Sequence, residues 1–463
     1  MKINYPSRPH SSLAVEFIPS KNDLDLADFS GETDQISTRY TGDSCTLYYG
    51  IGAAQECTAA RLRTAAAKAV QTIQKMKRTG AAFLLPSLPL APGEVDSSIV
   101  EGIVLGSYRF SRYKSEKPVQ LNSVEIIGAI LPAAKLKKIE QIALAVNSAR
   151  DLVNDNASAV TPARLADEAQ KLAATGLCKT TVLSERDLQR KKLNLIRAVG
   201  GGSTTPPALI IMEYRGTKKK SPVTAIVGKG VTFDSGGQNL KPTGSIETMR
   251  HDMAGAAAVL GVFSALVHLK PAVNVIGVIP AVHNAIGSRA FFPGDIYTSY
   301  SGKTVEIWST DAEGRLILAD AIAYCRDRYR PDRIVDLATL TGGIITALGE
   351  FVAGLFTNND DLAASLFNAG EKTGERLWRM PVYSQYSDAL KGDLGDLRNI
   401  AKFKKGVASS ITGAAFIKEF SGETPWAHLD IAGTAFNEGA ARGEIPQFAT
   451  GFGVRLLAEF LGI

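Results

Sequence analysis

The sequence predicts an α/β protein in which a small N-terminal α/β domain precedes a larger three-layer α/β/α domain with a mixed, largely parallel sheet. The chain has 463 residues, which is more than one ordinary hydrophobic core contains. Strand-like apolar runs alternate with helix-like segments, and in the second half several runs are apolar nearly throughout. Strands that are apolar on both faces indicate a sheet covered by helices on both sides.

The first domain is predicted to span residues 1–145. It alternates strand-like runs with one alanine-rich amphipathic helix. The predicted strands are Ser12–Ile18, Cys45–Gly50, Ala81–Leu85 and Ser123–Gly128, and the predicted helix is Thr58–Lys77. The sequence Gly50-Ile51-Gly52 lacks the third glycine of a dinucleotide-binding fingerprint. We therefore do not predict a nucleotide site in this domain.

A turn-rich joint, Asn154–Pro162, follows a helix predicted over Leu136–Asn154, and we place the domain boundary near residues 145–160. Thr161 suits the N-cap and Pro162 the first position of the next helix. The second domain takes residues 146–463. Its predicted strands are Ala208–Glu213, Thr224–Gly228, Val273–Ile279 and Arg333–Ala338, and its predicted helices are Ala163–Ala174, Ile246–Leu269 and Leu316–Arg328.

The composition is that of a globular protein, with 45% hydrophobic and 21% charged residues and a net charge of +6. The basic clusters are short and scattered along the chain: Lys135–Lys138, Arg190–Lys192 and Lys218–Lys220. Such clusters favour solvated loops over a nucleic-acid interface, although a basic face formed by assembly stays open.

The cysteines and the apolar runs bear on location. None of the four cysteines is part of a C-x-x-C motif, which predicts reduced, packed thiols in a cytoplasmic protein. No apolar run approaches the roughly 20 residues that cross a bilayer. We expect no membrane-spanning segment.

An acidic loop, Ser309–Leu316, stands between an apolar run and a helix-like run. It carries Asp311 and Glu313, which an extended backbone would direct to the same side. Gly314 permits close backbone approach, and Arg315 adds a guanidinium. Because ligands of α/β sheets gather at the carboxyl ends of strands, we expect both carboxylates to converge on one cation there. Alone, such a pair is usually an exposed acidic turn, so a metal site requires partners elsewhere in the chain.

Two further segments carry partners for this loop. Val227–Gly237 is a strand with a glycine-rich end that places Lys229 and Asp234 near the same cleft. No Gly-Lys-Ser/Thr closes it, so it is not a phosphate-binding P-loop. Asp252 precedes a run of small residues that allows close packing, and we expect it to begin a helix at the cleft. A capping contact in the first helical turn is the alternative reading of Asp252.

Three motifs in this order resemble the leucyl aminopeptidase (cytosol aminopeptidase, M17) family. They are Val227–Gly237, Asp252–Ala257 and Thr310–Leu316, with supporting matches at Ala338–Gly342, Leu377–Pro381 and Trp426–Gly433. The resemblance is close from about residue 145 onward and loose before it. It implies a metallo-exopeptidase that removes N-terminal residues, leucine-like ones preferred, from peptides.

The resemblance also implies two divalent cations per subunit, Zn²⁺ and/or Mn²⁺. Lys229 and Asp252 would serve one metal, Asp311 the other, and Asp234 and Glu313 both. Carboxylate oxygens suit such ions, and a lysine can coordinate a metal only when neutral, so the cations must depress its pKa. Two metals lower the pKa of a bridging water and polarise the scissile carbonyl.

Two cationic residues complete the implied catalytic machinery. Lys241 would stabilise the oxyanion of the tetrahedral intermediate. Arg315 would hold a bicarbonate ion that acts as general base, which suits the bidentate fork of a guanidinium. In the family the enzyme is a homohexamer whose active sites face an interior cavity. The sequence itself carries no independent oligomer signal.

The substrate pocket implied by the family would draw on Met249, Thr339, Leu340 and Gly342. One departure from the family pattern is Ser309, where relatives usually have asparagine, and substrate orientation or preference is expected to shift there. No histidine is needed for this chemistry, so the histidines are expected to be structural, with His251 a possible support of Asp252.

Two alternatives from other functional classes stay open. The first is a DNA-binding or recombination accessory role, which the mildly basic charge permits. The second is a scaffold role in which the fold matters more than turnover. Both would use the same fold, and neither has a motif of its own in the sequence.

Overall fold

The structure is a computed structural model, and it describes residues 1–20, 24, 26, 28–218, 222–404 and 406–463. Lys219 and Lys220 of the third basic cluster lie outside the described residues. The described chain divides into two compact units. The N-terminal unit comprises residues 1–147 and 438–447, and the C-terminal unit comprises residues 148–437 and 448–463.

The N-terminal unit is built around a sheet whose six described strands have the order β1-β6-β5-β2-β4-β3. Its pairs are parallel except for β3 with β4. The strands are β1 Lys2–Asn4, β2 Leu13–Pro19, β3 Ile36–Thr41, β4 Ser44–Gly52, β5 Gly80–Leu84 and β6 Ser123–Ile127. The helices are α1 Ala59–Lys75 and α2 Glu94–Gly106, with a 3-10 turn at Ala54–Glu56 and α3 Ala133–Asn154 crossing the unit boundary.

Local sequence explains where the helices of this unit and the next begin. The side chain of Thr58 accepts the backbone N–H of Arg61 and caps α1. Thr161 caps the first helix of the C-terminal unit in the same way, with Pro162 at its first position, as the sequence predicts. The core of the N-terminal unit is the apolar layer between its sheet and helices, and Val15, Leu62 and Phe83 are wholly buried in it.

The C-terminal unit is built around a nine-stranded mixed sheet, as counted over the described residues, of order β16-β15-β18-β14-β9-β11-β8-β7 with β10 paired to β11. Its strands are β7 Cys178–Leu183, β8 Ala208–Arg215, β9 Val223–Gly228, β10 Gly230–Asp234, β11 Asn274–Asn284, β14 Arg333–Ala338, β15 Ala353–Thr357, β16 Leu377–Arg379 and β18 Trp426–Asp430. The pairs β7/β8, β8/β11 and β15/β18 are antiparallel and the others parallel. The predicted mixed, largely parallel sheet is confirmed.

Smaller strand groups and the helices complete this unit. The strands β12 Ile296–Thr298, β13 Thr304–Glu306 and β17 Leu397–Arg398 form one small sheet, and β19 Phe436–Asn437 pairs with β20 Phe448–Ala449. The helices are α4 Pro162–Ala173, α5 Glu185–Arg190, α6 Asn194–Gly200, α7 Ala254–Leu269, α8 Gly314–Tyr329, α9 Gly342–Leu348, α10 Asp360–Thr373, α11 Ser384–Asp388, α12 Ser409–Ser421 and α13 Val454–Leu461, with a 3-10 turn at Met249–His251.

Two groups of helices cover opposite faces of the large sheet. On β14, Ile334 and Ala338 share a core with residues of α8 and α12. Leu337 lies close to Gly453, which precedes α13, and α13 packs on α7. Because neighbouring side chains of a strand point to opposite faces, the two groups lie on opposite sides. This is the expected three-layer arrangement.

One local expectation proves wrong, and one strand lies outside the large sheet. The predicted helix Ile246–Leu269 begins as α-helix only at Ala254, because a 3-10 turn takes Met249–His251. The strand before the acidic loop, β13, belongs to the small β12-β13-β17 sheet and not to the large one. Its short apolar run reads like a core strand, but it pairs with the nearby strand β12 and with β17, which lies far along the chain. No helix of the described chain is both long and apolar enough to cross a membrane.

Candidate metal centre

The candidate site lies at the carboxyl edge of the large sheet. Lys229 directly follows β9, Asp234 ends β10, and Thr339 directly follows β14. These strands run parallel to their neighbours, so their carboxyl ends meet at one edge, where ligands of open α/β sheets bind. Asp252 precedes α7 and Glu313 precedes α8. The edge therefore brings together the continuous stretch 229–234 and three further segments, which carry Asp252, Glu313 and Thr339.

Three buried carboxylates form a compact cluster at this edge. Asp234, Asp252 and Glu313 each offer an oxygen, and these oxygens lie within 4.8 Å of one another. The Nζ atom of Lys229 lies 2.8 Å from Asp252 Oδ1 and 2.9 Å from Glu313 Oε1. It also donates to the carbonyl of Thr339 at 2.8 Å. The cluster joins residues that the sequence analysis selected separately.

Burial and mutual repulsion shape the charges of the cluster. Burial, followed by repulsion from Asp234, raises the pKa of Glu313, and burial likewise raises the pKa of Asp252. Burial alone would lower the pKa of Lys229, but the carboxylates around it outweigh this effect and raise it. With only protein groups around it, Lys229 is the ammonium partner of the carboxylates. Depression of its pKa by cations stays a prediction.

The donor set fits divalent cations. Oδ2 of Asp252 is buried and has no hydrogen-bond partner among the described residues, which is costly for a carboxylate unless a further positive charge faces it. The other ligand atoms in the cluster are carboxylate oxygens, which suit hard or borderline divalent ions. No histidine or cysteine belongs to the cluster in the described chain. The fit rests on the oxygen ligands together with Lys229.

Asp311 stands outside the three-carboxylate cluster and joins it through Lys241. The Nζ atom of Lys241 lies 2.9 Å from Asp234 Oδ2 and 2.5 Å from Asp311 Oδ1. The expected extended backbone at the acidic loop is wrong: Asp311 lies in a turn, and Glu313 has helical φ and ψ of −81° and −36°. The two carboxylates are therefore not directed to one side by strand geometry.

Hydrogen bonds from neighbouring loops hold this turn. The Thr310 hydroxyl donates to the Gly236 carbonyl at 2.6 Å, and the Thr310 amide donates to Asn239 Oδ1 at 2.8 Å. Asn284 Nδ2 donates to both the Thr310 carbonyl, at 3.0 Å, and Asp234 Oδ1, at 2.7 Å. These hydrogen bonds thus fix the acidic loop against the loop after β10.

Asn399 supports the start of the acidic loop, and the sequence analysis missed it. Its Oδ1 accepts the amides of Trp308, at 2.7 Å, and Ser309, at 3.3 Å, while its Nδ2 donates to the Ser309 carbonyl at 2.6 Å. In the sequence, Asn399 is 91 residues from Trp308. No local pattern could reveal such a contact.

Two glycines permit the close approach that the sequence analysis expected. A Cβ atom on Gly314 would lie 2.6 Å from Lys229 Cε and 2.7 Å from its Nζ. A Cβ on Gly255 would lie 2.2 Å from the carbonyl oxygen of Leu337 and 2.9 Å from the amide of Lys229. Any larger residue at either position would therefore displace the segment that carries Lys229.

Arg315 and Lys241 line a cavity of about 730 Å³ beside the cluster. Arg315 is 6% exposed and donates from Nη1 to the carbonyl of Asn399 at 2.8 Å, and its Nε has no partner among the described residues. Burial lowers the pKa of Arg315 to about 10, so the guanidinium is still charged at neutral pH. The cavity also reaches Ser309 and Asp311.

The residues predicted for the substrate pocket have different surroundings. Thr339 donates its hydroxyl to Asp252 Oδ1 at 2.7 Å, and the Leu340 amide donates to Asp430 at 3.1 Å. Gly342 begins α9. Met249, Thr339, Leu340 and Gly342 are not among the described residues that line the 730 Å³ cavity. Their role in side-chain selection stays a prediction.

His251 packs beside the metal centre without touching the carboxylates in any described contact. Its ring stacks on Phe436 at 4.6 Å between centroids, and its Nδ1 lies 2.5 Å from the Thr248 carbonyl. Burial lowers the pKa of His251 to about 4, so the ring is neutral. It braces the turn that leads into Asp252.

Comparison with known proteins decides the family. The catalytic domain of the cytosol aminopeptidase family matches residues 147–458, and the N-terminal domain of the same family matches residues 24–117. The chain belongs to the cytosol aminopeptidase family. A "Probable cytosol aminopeptidase" of Chlamydia trachomatis serovar A is 41% identical over 452 residues, which cover 94% of this chain and 89% of that protein.

Solved structures agree with this assignment. The bottromycin maturation enzyme BotP in complex with Mn has a TM-score of 0.90 and 33% identity, covering 97% of this chain and 98% of its own. A mutant of tomato leucine aminopeptidase has a TM-score of 0.88 and 33% identity, covering 100% and 96%. The cytosol aminopeptidase is thus a metal-dependent hydrolase that acts on peptides, and the predicted family, fold class and enzyme class are confirmed.

Proposed function

We propose that this cytosol aminopeptidase uses two divalent ions, Mn²⁺ and/or Zn²⁺, to release leucine-like N-terminal residues from peptides. The observation that carries the proposal is the buried cluster of Asp234, Asp252 and Glu313, whose oxygens lie within 4.8 Å of one another. The Mn complex of BotP, a structural neighbour at 33% identity, supports the choice of metal.

Lys229 and Asp252 would hold one ion, Asp311 the other, and Asp234 and Glu313 both. When bound, the two ions would lower the pKa of a bridging water and polarise the scissile carbonyl. Asn284 keeps Asp234 oriented through a 2.7 Å hydrogen bond, as supporting residues of metal sites commonly do. The α-amine of the substrate would lie on the Lys229 side, which restricts cleavage to N-terminal residues.

Lys241 is the group that would stabilise the oxyanion. Its ammonium is held by Asp234 and Asp311 at the wall of the cavity. Burial opposes its charge, but the carboxylates of Asp234, Glu313 and Asp311 raise its pKa, so it remains a proton donor. A preorganised cation at this position stabilises negative charge as it develops on the substrate oxygen.

Arg315 would hold the bicarbonate general base. Its buried guanidinium uses one Nη for the Asn399 carbonyl and has a free Nε among the described contacts. A guanidinium with unused donors suits an oxyanion with two adjacent oxygens. A bicarbonate there would accept a proton from the attacking water. The arginine's part is to fix that anion beside the cluster.

Selection of the N-terminal side chain is assigned to Met249, Thr339, Leu340 and Gly342. A flexible thioether and small residues accommodate a branched apolar side chain. Thr339 links this group to the metal centre through its hydrogen bond to Asp252. The hydroxyl of Ser309 accepts the amide of Asp311 at 3.3 Å, so it serves its own loop where relatives usually carry an asparagine.

Assembly and location complete the proposal. We assign a homohexamer on the family resemblance, and light scattering of the purified protein tests it, since a monomer mass would contradict it. A cytoplasmic location is supported by the name of the relatives and by four free, buried cysteines.

The function is tested by hydrolysis of leucine p-nitroanilide with added Mn²⁺, with a chelator, and with Glu313→Gln. We expect the wild type to cleave, the chelator to stop it reversibly, and the variant to be inactive because a shared ligand has lost its charge. Cleavage that persists in the chelator, or in a metal-loaded Glu313→Gln variant at the wild-type rate, would contradict the proposal.

A further inference from the structure

One cavity joins the catalytic groups to a cationic and aromatic rim. The 730 Å³ cavity that contains Lys241, Asp311 and Arg315 is also lined by the segment that follows β17. The side chains of this rim are Trp308, Arg398, Lys402, Phe403 and Lys404. Its volume lies within the range of about 300–1,000 Å³ that is usual for small-ligand sites. The cavity is therefore large enough for more than the reacting atoms.

Trp308 is an exposed aromatic side chain that is nevertheless held in one orientation. It is 48% exposed, but its indole N–H donates to Glu306 Oε2 at 2.9 Å. The guanidinium of Arg398 stacks over its ring at 3.7 Å from the centroid. An exposed tryptophan fixed on one face by a cation and at its edge by a carboxylate has little rotamer freedom left to lose when a ligand binds.

Glu306 holds the Trp308 side of the rim in place through hydrogen bonds. Its Oε1 accepts the backbone amides of Asp393, Leu394 and Gly395 at 2.6, 2.5 and 2.7 Å. Burial would raise the pKa of Glu306, but these amides and the indole lower it to about 2. The carboxylate is therefore ionised throughout the working pH range. It ties the segment before Arg398 to the tryptophan.

The charges of the rim are mostly positive. Arg398 and Lys402 share one neutralising carboxylate, that of Asp393, at 3.7 and 2.5 Å. Lys404 is exposed and has no ion-pair partner in the part of the chain that the structure describes. Together with Lys241 and Arg315, these side chains surround the cavity with cations. Such a surface attracts an anionic group.

The direction in which the peptide binds decides which anionic group reaches the rim. An aminopeptidase takes the α-amine at the metal side, so the rest of the peptide runs away from the cluster. Each extended residue advances the chain by about 3.3–3.6 Å. In a peptide of two or three residues the terminal carboxylate therefore lies only one or two residues beyond the scissile bond, inside the same cavity.

We propose that this rim selects short peptides with a free terminal carboxylate, which Arg398 and Lys404 bind while the residue after the scissile bond packs on Trp308. The proposal rests on the aminopeptidase function proposed above and names its substrate class. A longer peptide would lose this contact because its carboxylate lies outside the cavity. An acidic side chain at the second or third residue would regain part of it.

The first test compares leucyl-glycyl-glycine with its C-terminal amide, using leucine p-nitroanilide as a substrate without a carboxylate. We expect the amide to have kcat/KM lower by about tenfold or more, mainly through KM, as for loss of a charge-assisted hydrogen bond that is made equally in ground and transition states. The difference should shrink as ionic strength rises, because the rim is exposed to solvent.

The second test uses Lys404→Met and Arg398→Met, with Lys391→Met as control. Lys391 is exposed, pairs with Asp388 and does not line this cavity. Lys404→Met and Arg398→Met should both bring the acid and amide rates closer. Lys404→Met should leave leucine p-nitroanilide hydrolysis within about twofold of wild type, since only the carboxylate contact is removed, whereas Arg398→Met also removes the guanidinium stacked on Trp308 and is judged on the acid-to-amide ratio alone. Lys404 has no described structural partner, so its variant is not expected to disturb folding.

The two tests separate this proposal from the function on which it rests. Equal kcat/KM for acid and amide, with normal hydrolysis of leucine p-nitroanilide, would overturn the carboxylate proposal alone. Retention of the full acid preference in both rim variants would overturn the assignment to Arg398 and Lys404. If the metal-loaded wild type hydrolyses none of the three substrates, the aminopeptidase function and the proposal fail together.

Discussion

Replacing Gly314 by alanine tests whether close packing around Lys229 holds the metal centre together. Gly314 is the first residue of α8, and a Cβ atom there would meet three atoms of Lys229 at 2.6 to 2.9 Å. Ordinary carbon contacts need about 3.5–4.0 Å. The side chain of Lys229 must therefore move by about 1 Å, away from Asp252 and Glu313.

The expected change in the free energy of unfolding is the difference between two opposing effects. Alanine in place of glycine favours a helix by about 1 kcal/mol. Breaking a buried ion pair by displacing one partner costs about 3–5 kcal/mol. We expect Gly314→Ala to lower the free energy of unfolding by about 2–4 kcal/mol, which corresponds to a fall of roughly 5–10 °C in the melting temperature of a domain of this size. Because Lys229 is also a proposed ligand, Mn²⁺ affinity should fall by about 10- to 100-fold.

Gly342→Ala is the matched control. Gly342 is likewise the first residue of a helix, α9, and a Cβ atom there would have no atom of the described residues within 4 Å. We expect this variant to melt at or slightly above the wild-type temperature and to bind Mn²⁺ normally. Differential scanning calorimetry and Mn²⁺ titration measure both effects. Wild-type melting and Mn²⁺ affinity in Gly314→Ala would refute the packing argument.

Four further changes have defined outcomes. Lys241→Ala should lower kcat by about 10²-fold or more with metal still bound; an unchanged kcat would exclude the oxyanion role. Asp234→Asn should reduce metal content at both sites by elemental analysis, since its carboxylate is shared, and full occupancy would contradict this. Asn399→Ala should lower kcat/KM by about tenfold because the acidic loop loses its support; a wild-type value would show that the loop holds itself. Burial lowers the pKa of His428, but the ion pair with Asp336 at 2.6 Å outweighs this and raises it above 6.5. The stability from this pair should be complete below about pH 6.5 and decline as the pH rises through the folded-state pKa; denaturation midpoints from pH 6 to 9 should show this fall in wild type but not in His428→Gln.

Some of the fold could be predicted because its signals are local. The caps at Thr58 and Thr161 lie within three residues of the amides they accept. Strands such as β9 and β14 are apolar on both faces, which already indicates their central place in the sheet. Edge strands gave weaker signals: β3 is largely exposed, and the sequence analysis did not predict it. Periodicity detects burial, and an edge strand has little of it.

The acidic loop illustrates where local reasoning failed. An i, i+2 pair of carboxylates reads as extended, yet the loop turns because Thr310 and Asn239 exchange hydrogen bonds across 71 residues. Asn284 and Asn399, which hold the same loops, are ordinary polar residues in the sequence. Their function depends on partners that only the folded chain brings near.

The sequence by itself determined the α/β class, the order of the motifs and the identity of the acidic and cationic residues, because hydrophobic periodicity and residue chemistry are properties of short segments. The tertiary structure decided which of them meet. Strands β14, β9 and β11 are neighbours in the sheet although their sequence order differs, and this crossover brings Lys229, Asp234 and Thr339 to one edge. It also decided that, in the described chain, Lys241 links Asp311 to the cluster, and that Trp308 and Arg398 stack at the rim of the cavity. Contacts between residues far apart in sequence arise from the packing of the whole sheet, which no single segment encodes.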